Sequence, residues 1–267
     1  MLVIDSHCHL DFEGMAERLT GVLERAETAG VGLMVSISSR VRTFDKLIRI
    51  AEENANVFCT VGTHPHNAHE ELDVTVAQLV QLTRHPKVIG IGEVGLDYHY
   101  DLSPREAQAQ GFRTHIAAAR ETGLPLVIHS REAEADTARI LEEEMGKGAF
   151  TPLLHCFTSK LELARAALAL GGYVSFSGIL TYKSAEDLRL TAAQVPMNRL
   201  VVETDSPYLA PVPFRGKDNE PAFVVKTLET LAKVKGVAAE AMADATNENF
   251  FRLFSKVPRP ARFVKAA

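Results

Sequence analysis

Cysteine is scarce in this chain. Cys8, Cys59 and Cys156 are the only three in 267 residues, and none stands in a C-x-x-C pair. That excludes a disulfide framework and points to a reducing compartment, the cytoplasm. Cys8 and Cys156 lie beside histidines, which raises zinc ligation, but a small buried strand residue is the better reading of both. No run of about 18 apolar residues occurs, so no membrane span is expected. The opening, Met1-Leu2-Val3-Ile4-Asp5, has no basic region ahead of a long apolar run, so no signal peptide is expected. Excess positive charge is also missing: the formal net charge is −5 with histidines neutral. A protein that grips long duplex DNA carries a basic face. Any nucleic-acid contact here should therefore be short and centred on a pocket. Glycine and proline are scattered, which leaves no linker, low-complexity stretch or repeat. The spacing G-x-G-x-x-G occurs at Gly90-Ile91-Gly92-Glu93-Val94-Gly95, inside a candidate strand; none follows a strand, which removes the dinucleotide-binding fingerprint.

What is present is apolar residues, 46% of the chain, in a length that suits one TIM barrel of about 250 residues. A single domain over residues 1–267 is expected. Short apolar runs fall at Leu2–His7, Leu33–Ile37, Val57–Val61, Val88–Glu93, Leu126–His129, Pro152–His155, Tyr173–Phe176 and Leu200–Glu203. They read as buried parallel strands. Amphipathic segments lie between them. Ser103-Pro104-Arg105-Glu106 has the form of a capping box with proline at the first helical position, and Gly123 is a plausible stop. Ser159-Lys160-Leu161-Glu162 opens a second helix in the same way. Further helices are expected over Glu17–Ala29, Thr43–Asn54, Val74–Thr83, Ala133–Met145, Ser184–Gln194, Phe223–Val234 and Ala239–Phe254. Regular alternation implies right-handed crossovers and a closed α/β (β/α)8 barrel, with an open doubly wound sheet as the alternative.

The polar residues fall at strand ends. His7-Cys8-His9 closes the first strand, Glu93 the fourth, His129 the fifth, His155 the sixth and Glu203-Thr204-Asp205 the eighth. In a barrel these ends share one face, where active sites are built. His7 and His9, two apart on an extended strand, point to the same side. Four histidines and two carboxylates exceed the needs of one tetrahedral ion. They suit two divalent ions about 3.5–4 Å apart that share a carboxylate and a water. Glu93 is the natural bridge, with His7, His9 and Asp205 on one ion and His129 and His155 on the other. The plainer alternatives are an ion pair of Glu93 with Arg131, and Asp205 as a turn residue before Ser206-Pro207. Asp205 is also placed to accept a proton from the attacking water. His64, in Gly62-Thr63-His64-Pro65-His66, is assigned to phosphate binding or leaving-group protonation. Arg131 enters the same mouth and can pair with a phosphate oxygen. Arg215 and Lys217, in the loop 211–221, supply local positive charge. His66 has weaker support, and His69, His85, His99 and His115 read as surface or structural residues.

Several stretches together resemble one family. They are Ile4-Asp5-Ser6-His7-Cys8-His9-Leu10-Asp11, Gly62-Thr63-His64-Pro65-His66, Gly92-Glu93-Val94-Gly95-Leu96-Asp97-Tyr98, Val127-Ile128-His129-Ser130-Arg131, His155-Cys156-Phe157-Thr158, Ser175-Phe176-Ser177-Gly178 and Glu203-Thr204-Asp205-Ser206-Pro207-Tyr208-Leu209. In this order, across nearly the whole chain, they resemble the TatD-type deoxyribonucleases, a branch of the amidohydrolase-like barrels. The resemblance implies metal-dependent DNase activity, often 3′-to-5′ on single strands; two ions sharing a water make hydrolysis by a bridging hydroxide the expected mechanism. It implies His7, His9, Glu93, His129, His155 and Asp205 as ligands, and magnesium or manganese as the ion. Imidazole ligands favour zinc, manganese or iron over magnesium, so Mg, Mn and Zn stay open. Two positions depart from the family's pattern. Ser159 replaces a usual glycine, and Asp218 stands where a basic residue is common, which weakens the expected grip on phosphate. The expected partner is the end of a single DNA strand, with no membrane and a monomeric state favoured. The rival enzyme reading keeps the metals and changes the bond to an amide or ester, as in an aminoacyl-tRNA deacylase. A barrel that only binds DNA or a protein partner would lack ligands, and none is missing.

Overall fold

The computed structural model describes residues 1–264. The strands are β1 (Val3–Cys8), β2 (Val31–Ser36), β3 (Val57–Val61), β4 (Val88–Asp97), β5 (Leu126–Arg131), β6 (Pro152–Leu154), β7 (Tyr173–Phe176) and β8 (Leu200–Val202). They pair in sequence order as one parallel eight-stranded sheet. The sheet closes through a parallel bridge between Cys8 and Ser206. There the His9 amide donates to the Ser206 carbonyl at 2.8 Å, and the Asp205 amide donates to the His7 carbonyl at 2.9 Å. Closure therefore sets His7, His9 and Asp205 side by side. The fold is the expected single-domain TIM barrel.

Around it lie α1 (Leu19–Thr28), α2 (Phe44–Glu53), α3 (Val76–Leu82), α4 (Arg105–Thr122), α5 (Glu134–Met145), α6 (Leu161–Ala169), α7 (Glu186–Gln194), α8 (Val224–Lys235) and α9 (Ala239–Leu253). Gly123, at φ 70°, stops α4 as expected, with its amide bonded to the Ala119 carbonyl. The two expected capping boxes do not form. Ser103 turns its hydroxyl to His69, accepting from that backbone amide at 2.8 Å. The residue before α4 is then Pro104, with no side-chain cap. A tertiary partner has outcompeted the local one. Likewise α6 begins after Lys160 without a side-chain cap. A capping box forms instead on α3, where Thr75 and Gln78 satisfy one another.

The core has two parts. Ile4, Leu33, Phe58, Ile89, Val127, Leu153, Tyr173 and Val201, one from each strand, fill the barrel interior together with Phe250 and Phe254 from the α9 region. The other faces of the strands pack on the helices; Cys8 and Cys59 belong to this outer layer, alongside Val22, Leu47, Phe112 and Leu228. Full burial of each large apolar side chain contributes about 1.5–3 kcal/mol. On β5, Val127 and His129 alternate along one face, so the apolar interior gives way to a polar layer at the C-terminal mouth. The strand β4 runs four residues past Glu93, to Asp97. Gly92 (φ 119°) and Gly95 (φ 144°) bracket Glu93, and a Cβ at either would collide with the β5 backbone, at the Val127 and His129 carbonyls respectively. Close approach of these two strands brings Glu93 to His129.

Candidate metal centre

Glu93 is the hub of the mouth. One carboxylate oxygen, Oε1, lies 2.7 Å from His155 Nε2, 3.0 Å from His129 Nδ1 and 3.4 Å from His64 Nε2. The other, Oε2, lies 3.5 Å from His7 Nε2 and 4.0 Å from His9 Nε2. Asp205 Oδ1 stands 3.5 Å from Nε2 of both His7 and His9. Three triplets thus gather potential ligand atoms within 4.8 Å: His7 with His9 and Asp205, His7 with Glu93 and His155, and His64 with Glu93 and His129. All six sequence-derived ligand candidates meet in one cluster. Glu93 makes no pair with Arg131, the plainer alternative for it.

The second nitrogen of each ring decides what the first can do. His9 Nδ1 donates to the Ile37 carbonyl at 3.2 Å, and His155 Nδ1 donates to Glu203 Oε1 at 3.3 Å. His129 Nε2 donates to Asp97 Oδ2 at 2.9 Å. In each case one ring proton is held outside, so the inward nitrogen can give its lone pair to a cation once its own proton is displaced, the arrangement a metal-binding histidine needs. His7 Nε2 and His9 Nε2 approach to 3.3 Å. At that distance one ring can donate to the other, or both can face a shared cation. This nitrogen-rich set with two carboxylates fits divalent transition ions.

His64 differs. Its Nδ1 accepts from the His66 amide at 3.1 Å, so the ring proton sits on Nε2 and points inward. It offers a donor, not a lone pair. Burial pushes it down to about 4, which keeps it neutral.

Charges in the cluster are strongly coupled. Burial alone would raise the Glu93 carboxyl, but His155, His64 and His129 together hold it well below the usual range. Burial would lower His155, but Glu93 and Glu203 hold it well above the ordinary imidazole value. A cation bound there displaces that proton. Asp205, likewise buried, is held low by His9, His7 and His155.

Three residues without an assigned role proved to be supports. Asp97 takes His129 and His66 on one oxygen, at 2.9 and 3.0 Å, so its carboxyl is held well below normal despite burial. Glu203 orients His155 and also accepts the Cys156 amide at 2.6 Å. Asp5, pushed up to about 8 by burial, accepts from the Thr204 amide at 2.8 Å and hydroxyl at 2.6 Å, which ties β1 to the turn after β8. A signal existed for two of them: Asp97 and Glu203 stand an even number of residues from Glu93 and Asp205, the same-face spacing of a strand.

The remaining candidates lie outside the cluster. Arg131 is exposed, its guanidinium 4.7 Å above the Tyr100 ring. Arg215 stands 4.6 Å over Tyr182, and Lys217 is exposed on the same loop. Asp218 pairs with Arg18 at 3.1 Å, so its charge is met from α1's approach. His115 is structural: Nδ1 donates to the Gly111 carbonyl at 2.8 Å and Nε2 accepts the Thr63 amide at 3.1 Å.

A barrel with such a cluster at its C-terminal mouth defines a metal-dependent hydrolase. The TatD-related DNase family matches residues 4–255, and the chain belongs to it. A metal-dependent hydrolase of Escherichia coli K12, YcfH, is 42% identical over 257 residues, covering 95% of this chain and 96% of its own. The protein named 3′-5′ ssDNA/RNA exonuclease TatD from Pantoea vagans is 35% identical over 240 residues, covering 87% of this chain and 92% of its own. The crystal structure of YjjV, a TatD homologue from E. coli K12, superposes with a TM-score of 0.88 at 30% identity, covering 96% of this chain and 98% of that one. Among the described residues no helix is long and apolar enough to cross a membrane.

Proposed function

We propose that this protein hydrolyses phosphodiester bonds at the 3′ ends of single-stranded DNA, with two divalent cations held by His7, His9, Asp205, Glu93, His129 and His155. The observation that carries this is the hub: one buried carboxylate, Glu93, with ring nitrogens of three histidines converging on it and a second carboxylate on the far side of His7. A shared carboxylate is how a protein spaces two ions. The name of the Pantoea relative supports nucleic acid as the substrate class.

When bound, the two cations lower the pKa of a water and offset the charge of the phosphate. The chain's residues do the rest. Asp205, held ionised among His9, His7 and His155, accepts the proton as the water oxygen bonds to phosphorus. The bond from phosphorus to the 3′ oxygen breaks, and that oxygen takes its proton from solvent. His64 is neutral with its proton on Nε2, so it hydrogen-bonds a phosphate oxygen and does not protonate the leaving group. Arg131, Arg215 and Lys217 border the mouth as exposed cations, in keeping with a short contact by a chain of net charge −5.

The test combines elemental analysis of the purified protein with a panel of single-stranded DNA, RNA, model phosphoesters, amides and charged tRNA. Two equivalents of metal and release of mononucleotides from DNA are expected. Release of amino acid from charged tRNA, with DNA left intact, would overturn the assignment.

A further inference from the structure

Two aromatic surfaces stand at the mouth, and neither belongs to the ligand set. The first follows β1 and β8. The Phe12 ring lies on the His9 ring, centroids 4.3 Å apart and planes 17° from parallel. Tyr208 meets Phe12 edge-on at 6.2 Å and is 55% exposed. The second follows β4 and β5. Tyr100 is 54% exposed, with Arg131 over its ring at 4.7 Å and the edge of His66 at 5.4 Å. In a barrel with strands in sequence order, the β8–β1 seam and the β4–β5 seam lie on opposite sides of the mouth. The candidate ions lie between them.

Both surfaces are fixed by the residues that fix the ligands. Asp97 Oδ2 holds His129, and its Oδ1 accepts the Tyr100 amide at 2.8 Å. The Tyr208 amide donates to the Asp205 carbonyl at 3.0 Å, and the buried Asn219 side chain donates to the Tyr208 carbonyl. Exposed rings on pinned backbone give up little entropy on binding, so they serve as preorganised contact surfaces. Flat aromatic and guanidinium faces beside a phosphate site suit nucleobases, which stack on them whatever their identity.

We propose that the mouth clamps two unpaired nucleobases, one on each side of the scissile phosphate, with one stacked on Tyr208, which Phe12 braces at a steep angle, and its neighbour on Tyr100 and Arg131. The clamp rests on the nuclease assignment and adds a substrate requirement to it: both bases must be free of a complementary strand.

The experiment uses the metal-loaded protein and a single-stranded DNA whose last linkage is a non-hydrolysable phosphonate, with 2-aminopurine as the last or next-to-last base. Stacking quenches its fluorescence. Quenching is expected at both positions. Tyr208→Leu should abolish it at one and Tyr100→Leu at the other, while Tyr208→Phe and Tyr100→Phe retain it. Each Leu variant should weaken Kd by about 5- to 140-fold, the range for one lost base stack. In parallel, kcat/KM is measured on cleavable strands with a tetrahydrofuran abasic residue at either position. A strand that binds unquenched, or Leu variants that quench like wild type, would overturn the clamp alone. Failure of the wild-type protein to cut any DNA strand would overturn the nuclease assignment, and the clamp with it.

Discussion

The two ends of the barrel solve opposite problems. At the base, Lys87 Nζ donates to the carbonyls of Asn54, Ala55 and Val57 at 2.9, 3.1 and 2.9 Å. Lys256 Nζ does the same for His85 and Val88 at 2.7 and 2.8 Å, and Lys235 Nζ for Ala193 and Val195 at 2.8 Å each. Three long side chains thus satisfy backbone carbonyls where the chain turns, and aromatic side chains from the α9 region fill the space above them. At the mouth, buried polar atoms go without protein partners: His7 Nδ1 and Glu203 Oε2 have none among the described residues. Every non-glycine residue with positive φ that is described lies in a loop after a strand end: Asp101, Glu132, Cys156, Asp205 and Leu209. Each such conformation costs on the order of 1–3 kcal/mol. Among the described residues the base is free of such backbone conformations, while the mouth is strained and crowded with like groups. Stability and chemistry have been allotted to different ends, and substitutions should separate them.

The largest expected effect is at the hub. Glu93→Gln should lower kcat at least about 10³-fold, reduce bound metal and lower the thermal stability of the metal-free protein, since His155 and His129 lose the buried carboxylate they pair with. Steady-state kinetics, elemental analysis and calorimetry check the three parts together. An active variant within tenfold of wild type would erase the contrast between the ends.

Next comes a histidine that supports the mouth without serving it. Burial pushes His115 down from 6.5 to about 4. The unfolded chain therefore takes up the proton first as pH falls. The stability held by neutral His115 is complete above about pH 6.5 and is lost on descent towards pH 4, by about 3 kcal/mol. His115→Gln can still accept the Thr63 amide. It should flatten the urea-unfolding free energy across that window; an unchanged slope would place the acid sensitivity elsewhere.

Asp97→Asn keeps the shape beside His129 and weakens its hold on the ring. Metal affinity or activity should fall about 10- to 100-fold, the usual cost of losing an outer support. Competition with a chelator of known affinity measures it. Lys256→Met is the counterpart at the base. It leaves carbonyls unpaired and should cost about 1–3 kcal/mol in urea unfolding, with kcat/KM unchanged. A loss of activity in this variant would mean that the two ends are coupled after all.

The sequence by itself determined the barrel and which polar side chains gather at its mouth. Eight short apolar runs separated by amphipathic segments leave few other ways to bury so much surface, and His7, His9, Glu93, His129, His155 and Asp205 were legible because each stands at the end of a run or two residues past it. What tertiary structure alone decided is how each ring is held. His9 leans on the Ile37 carbonyl, His129 on Asp97 and His155 on Glu203, partners 28, 32 and 48 residues away. Asp218 met Arg18 from 200 residues away, whereas the tautomer of His64 is set locally, by the His66 amide two residues on. Periodicity and residue chemistry are local and can be read along the chain. The supporting bonds of the other rings depend on strand register and on closure of β8 against β1, which exist only once the barrel has formed.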